Sequence, residues 1–202
     1  GLYRGYPGAV FLEDQVLFNV DPFIKYTTKN GLSHSLQTRV FHSDNVISNN
    51  QSNKGTMYFG EYQIQKKFKS IDLNFIAGTT GNISYSTSRL YASSGQPDNK
   101  IVNTSAYIQF DKKFWRILNL SGGVRYENFK INNLSADDAF IYRFGGNLQL
   151  TRGTFVRGSY GTGYRYPTIT ERYVTTKAGM FGVFPNPDLK PETSKSFEVG
   201  IK

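Results

Sequence analysis

Toward its C-terminal end the chain reads Gly161-Thr162-Gly163-Tyr164-Arg165-Tyr166-Pro167-Thr168. Later come Pro185-Asn186-Pro187-Asp188-Leu189-Lys190-Pro191-Glu192 and then Ser196-Phe197-Glu198-Val199-Gly200-Ile201. The first run closes a strand at Pro167, because proline lacks the N–H that a ladder needs. Pro185, Pro187 and Pro191 each fix φ and stiffen the returning limb of a long loop. The last run alternates apolar and polar residues, the period of a strand with one face in each environment. Two strands joined by a long, stiffened loop are the unit to be placed.

Working outward, the same alternation recurs upstream. Val156, Gly158, Tyr160 and Tyr164 oppose Arg157, Ser159 and Gly163. Tyr142, Phe144, Gly146 and Leu148 oppose Arg143, Asn147 and Gln149. Leu118, Leu120, Gly122, Val124 and Tyr126 oppose Asn119, Ser121, Gly123, Arg125 and Glu127. The cleanest case sets Val102, Thr104, Ala106, Ile108 and Phe110 against Asn103, Ser105, Tyr107, Gln109 and Asp111. Further back, Ile71, Leu73, Phe75 and Ala77 share a face, as do Tyr58, Gly60, Tyr62 and Ile64, and Leu36, Thr38 and Val40. The first strand, Val16 to Tyr26, is interrupted by Pro22 and is the weakest of the set. Residues 1–14, with Gly1, Gly5, Pro7 and Gly8, read as irregular.

These strands run about 10–14 residues, longer than the usual five or six of globular sheets. Lys29-Asn30-Gly31, the basic turn at Lys66 to Lys69, Lys112 to Trp115, and Thr151-Arg152-Gly153 read as short turns. The polar stretches Ser43–Lys54, Ser86–Asn99 and Lys130–Asp138 read as longer loops, so short and long connections alternate. The charges Asp21, Arg39, Glu61, Asp72, Arg125, Glu127, Arg143, Arg157 and Glu198 all fall on one face of the strands. The other face is nearly free of charge. Aromatics flank the strand ends: Tyr26, Phe68, Phe114 and Trp115 by short turns, Tyr126, Phe129, Tyr164 and Tyr166 by long loops. This is the pattern of an all-β, antiparallel up-and-down transmembrane β-barrel, with an apolar exterior, a polar lumen and interfacial girdles.

Composition agrees. Aromatics make up 15% of the 202 residues and glycine 20 positions, which favours strands and turns. Mean hydropathy is −0.45, and no apolar run approaches the ~20 residues of a membrane helix. Zero cysteines exclude disulfides and thiolate metal sites. The formal charge of +9 is spread along the rim of short turns at Lys29, Lys66, Lys67, Lys69, Lys112 and Lys113. It is not gathered into a groove for nucleic acid. No nucleotide fingerprint, nucleophile elbow or catalytic dyad is present, so an enzyme is not expected. His34 and His42 are eight positions apart on one strand face and read as ordinary strand residues, with no metal or cofactor site.

The opening stretch resembles the TonB-dependent outer-membrane receptors. In that family a strand ending in Gly-x-Gly-Phe/Tyr-Arg-x-Pro leads into a long outer loop. The loop closes on Asn-Pro-x-Leu-Lys-Pro-Glu before a strand with Glu-x-Gly. Gly161, Gly163, Arg165 and Pro167, then Asn186, Pro187, Leu189, Lys190, Pro191 and Glu192, then Glu198 and Gly200 match it. The resemblance implies a barrel of 22 strands plugged by an N-terminal domain. It also implies uptake of a scarce ligand, favoured here as a ferric siderophore or similar chelate, driven through TonB. About nine strands are legible, so residues 1–202 are expected to be an internal barrel segment without plug or closing strands. The implied setting is the outer membrane of a Gram-negative bacterium. The implied partners are the TonB complex through the plug region, bilayer lipid, lipopolysaccharide and a small-molecule ligand.

The candidate ligand residues lie on the long outer loop: Arg165, Tyr166, Glu171, Arg172, Tyr173, Met180, Phe181 and Phe184, with Lys177 beside them. Guanidinium groups suit anionic ligand groups, and rings supply stacking area. The competing reading of that loop is packing on itself and contact with lipopolysaccharide. Arg39, Glu61, Arg125, Glu127, Arg143, Arg157 and Glu198 are expected to face the lumen, pairing across strands or meeting a plug, or else lining a ligand path. Pro167, Asn186, Pro187, Leu189, Lys190, Pro191, Glu192 and Gly200 read as structural. A passive porin and a soluble carbohydrate-binding β protein are the alternative functions.

Overall fold

The computed structural model describes residues 12–48, 51–94, 97–134, 136–178 and 180–202, apart from the side chains of 92–94, 177, 178 and 181. The irregular start expected over 1–14 therefore falls mostly outside the described residues, and Glu13 and Asp14 already belong to a strand.

The sheet-forming strands are β1 (Glu13–Val20), β2 (Phe23–Thr27), β3 (Leu32–Ile47), β4 (Asn53–Phe68), β5 (Leu73–Ser88), β6 (Asp98–Phe114), β7 (Leu118–Ile131), β8 (Asp137–Gln149) and β9 (Phe155–Arg165). A short helix α1 (Ile169–Tyr173) and a small hairpin, β10 (Thr176–Ala178) and β11 (Phe181–Val183), follow. β12 (Glu192–Ile201) ends the series. Each large strand pairs antiparallel with its sequence neighbour, in the order β1-β3-β4-β5-β6-β7-β8-β9-β12, with β2 continuing β1 along β3. β10 and β11 pair only with each other.

Pro22 splits the first strand without shifting its register. Val20 opposes Val40 on one side of the break and Phe23 opposes Gln37 on the other. The Thr38 N–H donates to the Pro22 carbonyl at 2.9 Å, and Pro22 has no N–H to return. The break costs one ladder bond and nothing more.

The strands are longer than the alternation indicated. β3, β4 and β5 each have 16 residues and β6 has 17. The polar stretches read as loops over Ser43–Lys54, Ser86–Asn99 and Lys130–Asp138 are strand at both ends, and Arg89–Ser94 within the second form a short 3-10 helix. Asp44 pairs with Lys54, Thr87 with Asp98 and Asn128 with Asp138. Past the apolar band both faces of a strand meet water, so the ladder continues while the alternation stops. The connection from Arg165 to Glu192 is the longest among the described elements. The short turns are tight, and the one after β6 holds Trp115 (φ 48°) and Arg116 (φ 63°) in the left-handed region.

Register fixes which residues share a face. Leu36, Tyr62, Thr79, Ala106, Tyr126 and Phe140 form one cross-strand row; Phe110, Gly122, Phe144, Tyr160 and Phe197 form another. Most large exposed apolar residues of the strands belong to this face, Phe197 at 76% exposure and Ile108 at 49% among them. Leu17 and Phe23 are exceptions on the opposite parity. A face this apolar with nothing packed on it belongs against acyl chains.

The buried apolar core is correspondingly small and lies at the outer end of the sheet. Tyr91, Phe129, Ile131, Ile169 and Tyr173 cluster there, with Leu90, Ile101, Tyr166 and Val174 against them. Phe129 and Ile131 carry the polar-face parity of β7. The loop helix α1 therefore packs on the lumen side of the rim, not on the lipid side.

Candidate functional site

The long loop leaves β9 and rejoins the sheet at β12 with Arg165 and Glu192 as register partners. The two sequence motifs at the loop's ends thus meet at its root. Arg165 grips both carboxylates in reach. Its Nε and Nη2 donate to Glu192 at 3.0 and 2.6 Å, and its Nη1 donates to both Glu171 oxygens at 2.9 and 3.0 Å. Such bidentate, charge-assisted bonds fix direction as well as distance.

Glu171 also closes the helix start. The Thr168 hydroxyl accepts from the Glu171 N–H at 3.2 Å, and the Glu171 carboxylate accepts from the Thr168 N–H at 2.8 Å. This is a reciprocal capping box. The Thr168 N–H, and then the Arg165 guanidinium, hold the Glu171 carboxyl below the usual carboxylate range. Arg165 thereby ties α1 to the strand on one side and the loop's return to it on the other.

Beyond the cap, α1 turns its apolar residues down. Ile169 and Tyr173 are buried in the rim core. Tyr166 stacks on Phe129 with ring centroids 3.9 Å apart and donates its hydroxyl proton to the Asp137 carbonyl at 3.2 Å. Burial, followed by its contact with Tyr164, pushes the Tyr166 hydroxyl well above the usual phenol value. The Tyr91 and Thr170 hydroxyls lie 3.2 Å apart, and the Thr175 N–H donates to the Leu90 carbonyl. The connection between β5 and β6 therefore supports the loop from beneath.

Arg172 is buried, at 7% exposure. Its Nη1 donates to the Pro187 carbonyl at 3.3 Å, and its own carbonyl accepts from the Asn186 N–H at 2.8 Å. Its Nε is buried with no partner. The returning limb then turns with the Leu189 N–H on the Asn186 carbonyl at 3.2 Å. Met180, at 99% exposure, and Phe184, at 71%, stand out from the loop instead. The side chains of Lys177 and Phe181 lie outside the description.

Seven of the eight loop residues named from sequence divide by environment, the side chain of Phe181 lying outside the described ones. Arg165 and Glu171 form the ion pair at the root; Tyr166, Arg172 and Tyr173 are packed or hydrogen-bonded inside the loop; Met180 and Phe184 face out. Sequence reading missed the helix and the burial. The pattern Thr168-x-x-Glu171 ahead of an apolar residue signals a capped helix start and was available in the sequence.

On the polar face, Arg39 binds Asp21 through Nε and Nη2 at 2.6 and 2.9 Å. Arg125 binds Glu127 at 2.6 Å and Arg157 binds Glu198 at 3.0 Å. The Tyr107 hydroxyl lies 2.6 Å from Glu61 and 3.0 Å from Gln63, two strands away. It reaches them across Gly78, where a Cβ would come within 2.6 Å of the Tyr107 ring and 2.9 Å of the Tyr62 carbonyl. Arg143 lines a hollow of about 380 Å³ with Gln63, Tyr107, Gln109 and Arg125. His34 contacts the Tyr62 hydroxyl at 2.7 Å and His42 the Thr56 hydroxyl at 2.8 Å.

Comparison with known proteins follows the same lines. Residues 5–202 match the family described as TonB dependent receptor-like, β-barrel. Over 60 residues the chain is 47% identical to the hemoglobin and hemoglobin-haptoglobin-binding protein C of Haemophilus influenzae, which is 30% of this chain and 6% of that protein. The siderophore receptor PirA of Pseudomonas aeruginosa superposes with a TM-score of 0.76 at 13% identity, covering 94% of this chain and 37% of that one. The hemophore receptor HasR of Serratia marcescens, solved with its hemophore HasA and heme, gives 0.68 at 17%, covering 96% and 37%. The chain thus spans well under half the length of the proteins it matches. By the family match along nearly its whole length, this chain belongs to the TonB-dependent receptor β-barrels, proteins of the Gram-negative outer membrane.

Proposed function

We propose that this sheet is the loop-bearing wall of a receptor that takes up a scarce iron-bearing ligand across the outer membrane, with TonB supplying the drive. One observation carries the reading. The loop from Tyr166 to Pro191 is anchored on the lumen side of the rim and holds Met180 and Phe184 out in water. Exposed apolar and aromatic side chains on an anchored loop offer contact area to a partner. Their place above a polar lumen suits a ligand on its way in. Family membership supports an energised receptor over a passive porin, a soluble carbohydrate-binding protein or an enzyme. TonB, lipopolysaccharide and bilayer lipid are the partners that go with this reading.

Two ligand types fit. A ferric siderophore is the first, in keeping with the fold shared with PirA. Haem delivered by a carrier protein is the second, and the local identity to the haemoglobin-binding proteins favours it. The test replaces Met180 and Phe184 together by serine in the full-length receptor. Growth is then measured with a ferric siderophore or haemoglobin as sole iron source. Loss of growth on one source with normal receptor levels in the outer membrane is the expected result and names the ligand. Unchanged growth on both refutes capture by this loop.

A further inference from the structure

Among the described residues, three arginines turn their Nε toward a carboxylate. Arg39 and Arg165 use Nε and Nη2 together, on Asp21 and Glu192, and Arg125 uses Nε on Glu127. All three are half exposed or nearly so. Arg172 is deeply buried, and among the described residues its Nε has no hydrogen-bond partner. Its one hydrogen bond from the side chain goes to a neutral carbonyl, that of Pro187. No carboxylate among the described residues lies within ion-pair distance of it. A guanidinium stays charged at any physiological pH, and a buried, unpaired charge is among the least favourable arrangements a fold can hold.

We infer that Arg172 is the loop's seat for a carboxylate, taken side-on by Nε and Nη2 as Arg39 and Arg165 take theirs. The inference rests on the uptake reading above and adds to it a ligand class: an iron chelate that carries free carboxylates. Two hydrogen bonds hold the returning limb to Arg172, from the Asn186 N–H to its carbonyl and from its Nη1 to the Pro187 carbonyl. Lifting that limb breaks little and opens the guanidinium. A carboxylate then replaces a weak neutral acceptor with a charge-assisted pair. The limb is the Pro185–Pro187 segment, already stiffened by its prolines, so it moves as a piece. The same chemistry is available from a carboxylate of another outer loop of the whole protein, and the experiment separates the two sources.

The probes are haem, with its two carboxylates, haem dimethyl ester, and citrate, added to the full-length receptor in detergent. Visible-absorption titration reads haem binding, and chymotrypsin cleavage of the loop reads citrate. Wild-type receptor is expected to favour haem over the ester by roughly 30-fold or more, the loss that follows from truncating a buried charged partner. Arg172→Gln is expected to abolish that preference, and Arg172→Lys to leave most of it lost, because lysine lacks the fork. Citrate at constant ionic strength is expected to slow cleavage in wild type and not in Arg172→Gln. If haem does not bind wild type but citrate protects it through Arg172, the haem reading falls and the seat stands. If the haem preference and citrate protection are both indifferent to Arg172, the inference is overturned. If Arg172→Gln alone loosens the empty loop and no probe responds, the carboxylate is the protein's own and a ligand seat is refuted.

Discussion

Truncating Ile131 to alanine should free the loop helix while leaving the wall intact. Ile131 is 2% exposed and packs with Phe129, Tyr91, Ile169 and Tyr173. Removing a side chain of that size from a packed site costs roughly 3 kcal/mol once the residual cavity is included. Nearly all of that cost should fall on the contact between α1 and the rim, because the β7 ladder to β6 and β8 is made by backbone. A loss of about 3 kcal/mol corresponds to roughly a 150-fold rise in the open population of the loop. Hydrogen exchange on the full-length receptor reads it directly. The amides of Arg172, Val174 and Thr175, bonded to Thr168, Thr170 and Leu90, should exchange about 100-fold faster. Amides in the middle of β6 and β7, such as Ile108 and Val124, should not change. Unchanged exchange in α1 would refute the placement of the core at the rim. Faster exchange spread evenly through the sheet would refute the independence of loop and wall.

Two other outcomes follow from the geometry. Because Thr168 and Arg165 hold the Glu171 carboxyl low, its contribution to the loop is complete above the ordinary carboxylate range. It fades as pH falls through the lowered folded value, so protease protection of the loop should drop at acid pH, and Glu171→Gln should flatten that dependence. An identical acid profile in the variant would rule the capping box out as its source. Val124→Arg, on the lipid face, should cost about 2–4 kcal/mol if it lies near the bilayer midplane, measured by urea unfolding from vesicles. Gln109→Arg, on the polar face, should cost far less. Equal costs would overturn the assignment of faces.

Strand parity was legible because lipid and lumen impose opposite demands on alternate residues. The row Val102 to Phe110 shows it plainly, and Pro22 hides it only locally, since the register passes through the break. The strand ends were not legible. Asn45, Asn53, Thr87 and Asp98 are paired in the ladder, yet water on both faces removes the pattern that would reveal them. In the loop, residue type alone marked Arg172 and Tyr173 and said nothing of their burial, Tyr173 in the rim core and Arg172 beside the returning limb. Burial in a loop depends on where the chain turns back, which periodicity does not encode. The capping box at Thr168 and Glu171 was the readable clue. Of the residues at the loop's two ends, Glu192 was read as structural and Arg165 as a ligand contact, and the two bind each other at the loop's root.

The long strands set a height. Seventeen residues of β6 at ~3.4 Å each, tilted by about 40°, rise roughly 44 Å along the membrane normal, against an apolar band of about 25 Å. The turns on the inner side are tight and use little of the excess. Most of the remainder stands above the outer leaflet as a collar wetted on both sides. The mouth of the barrel is thus lifted clear of the membrane, and the loop that overhangs it works at the top of a short tower.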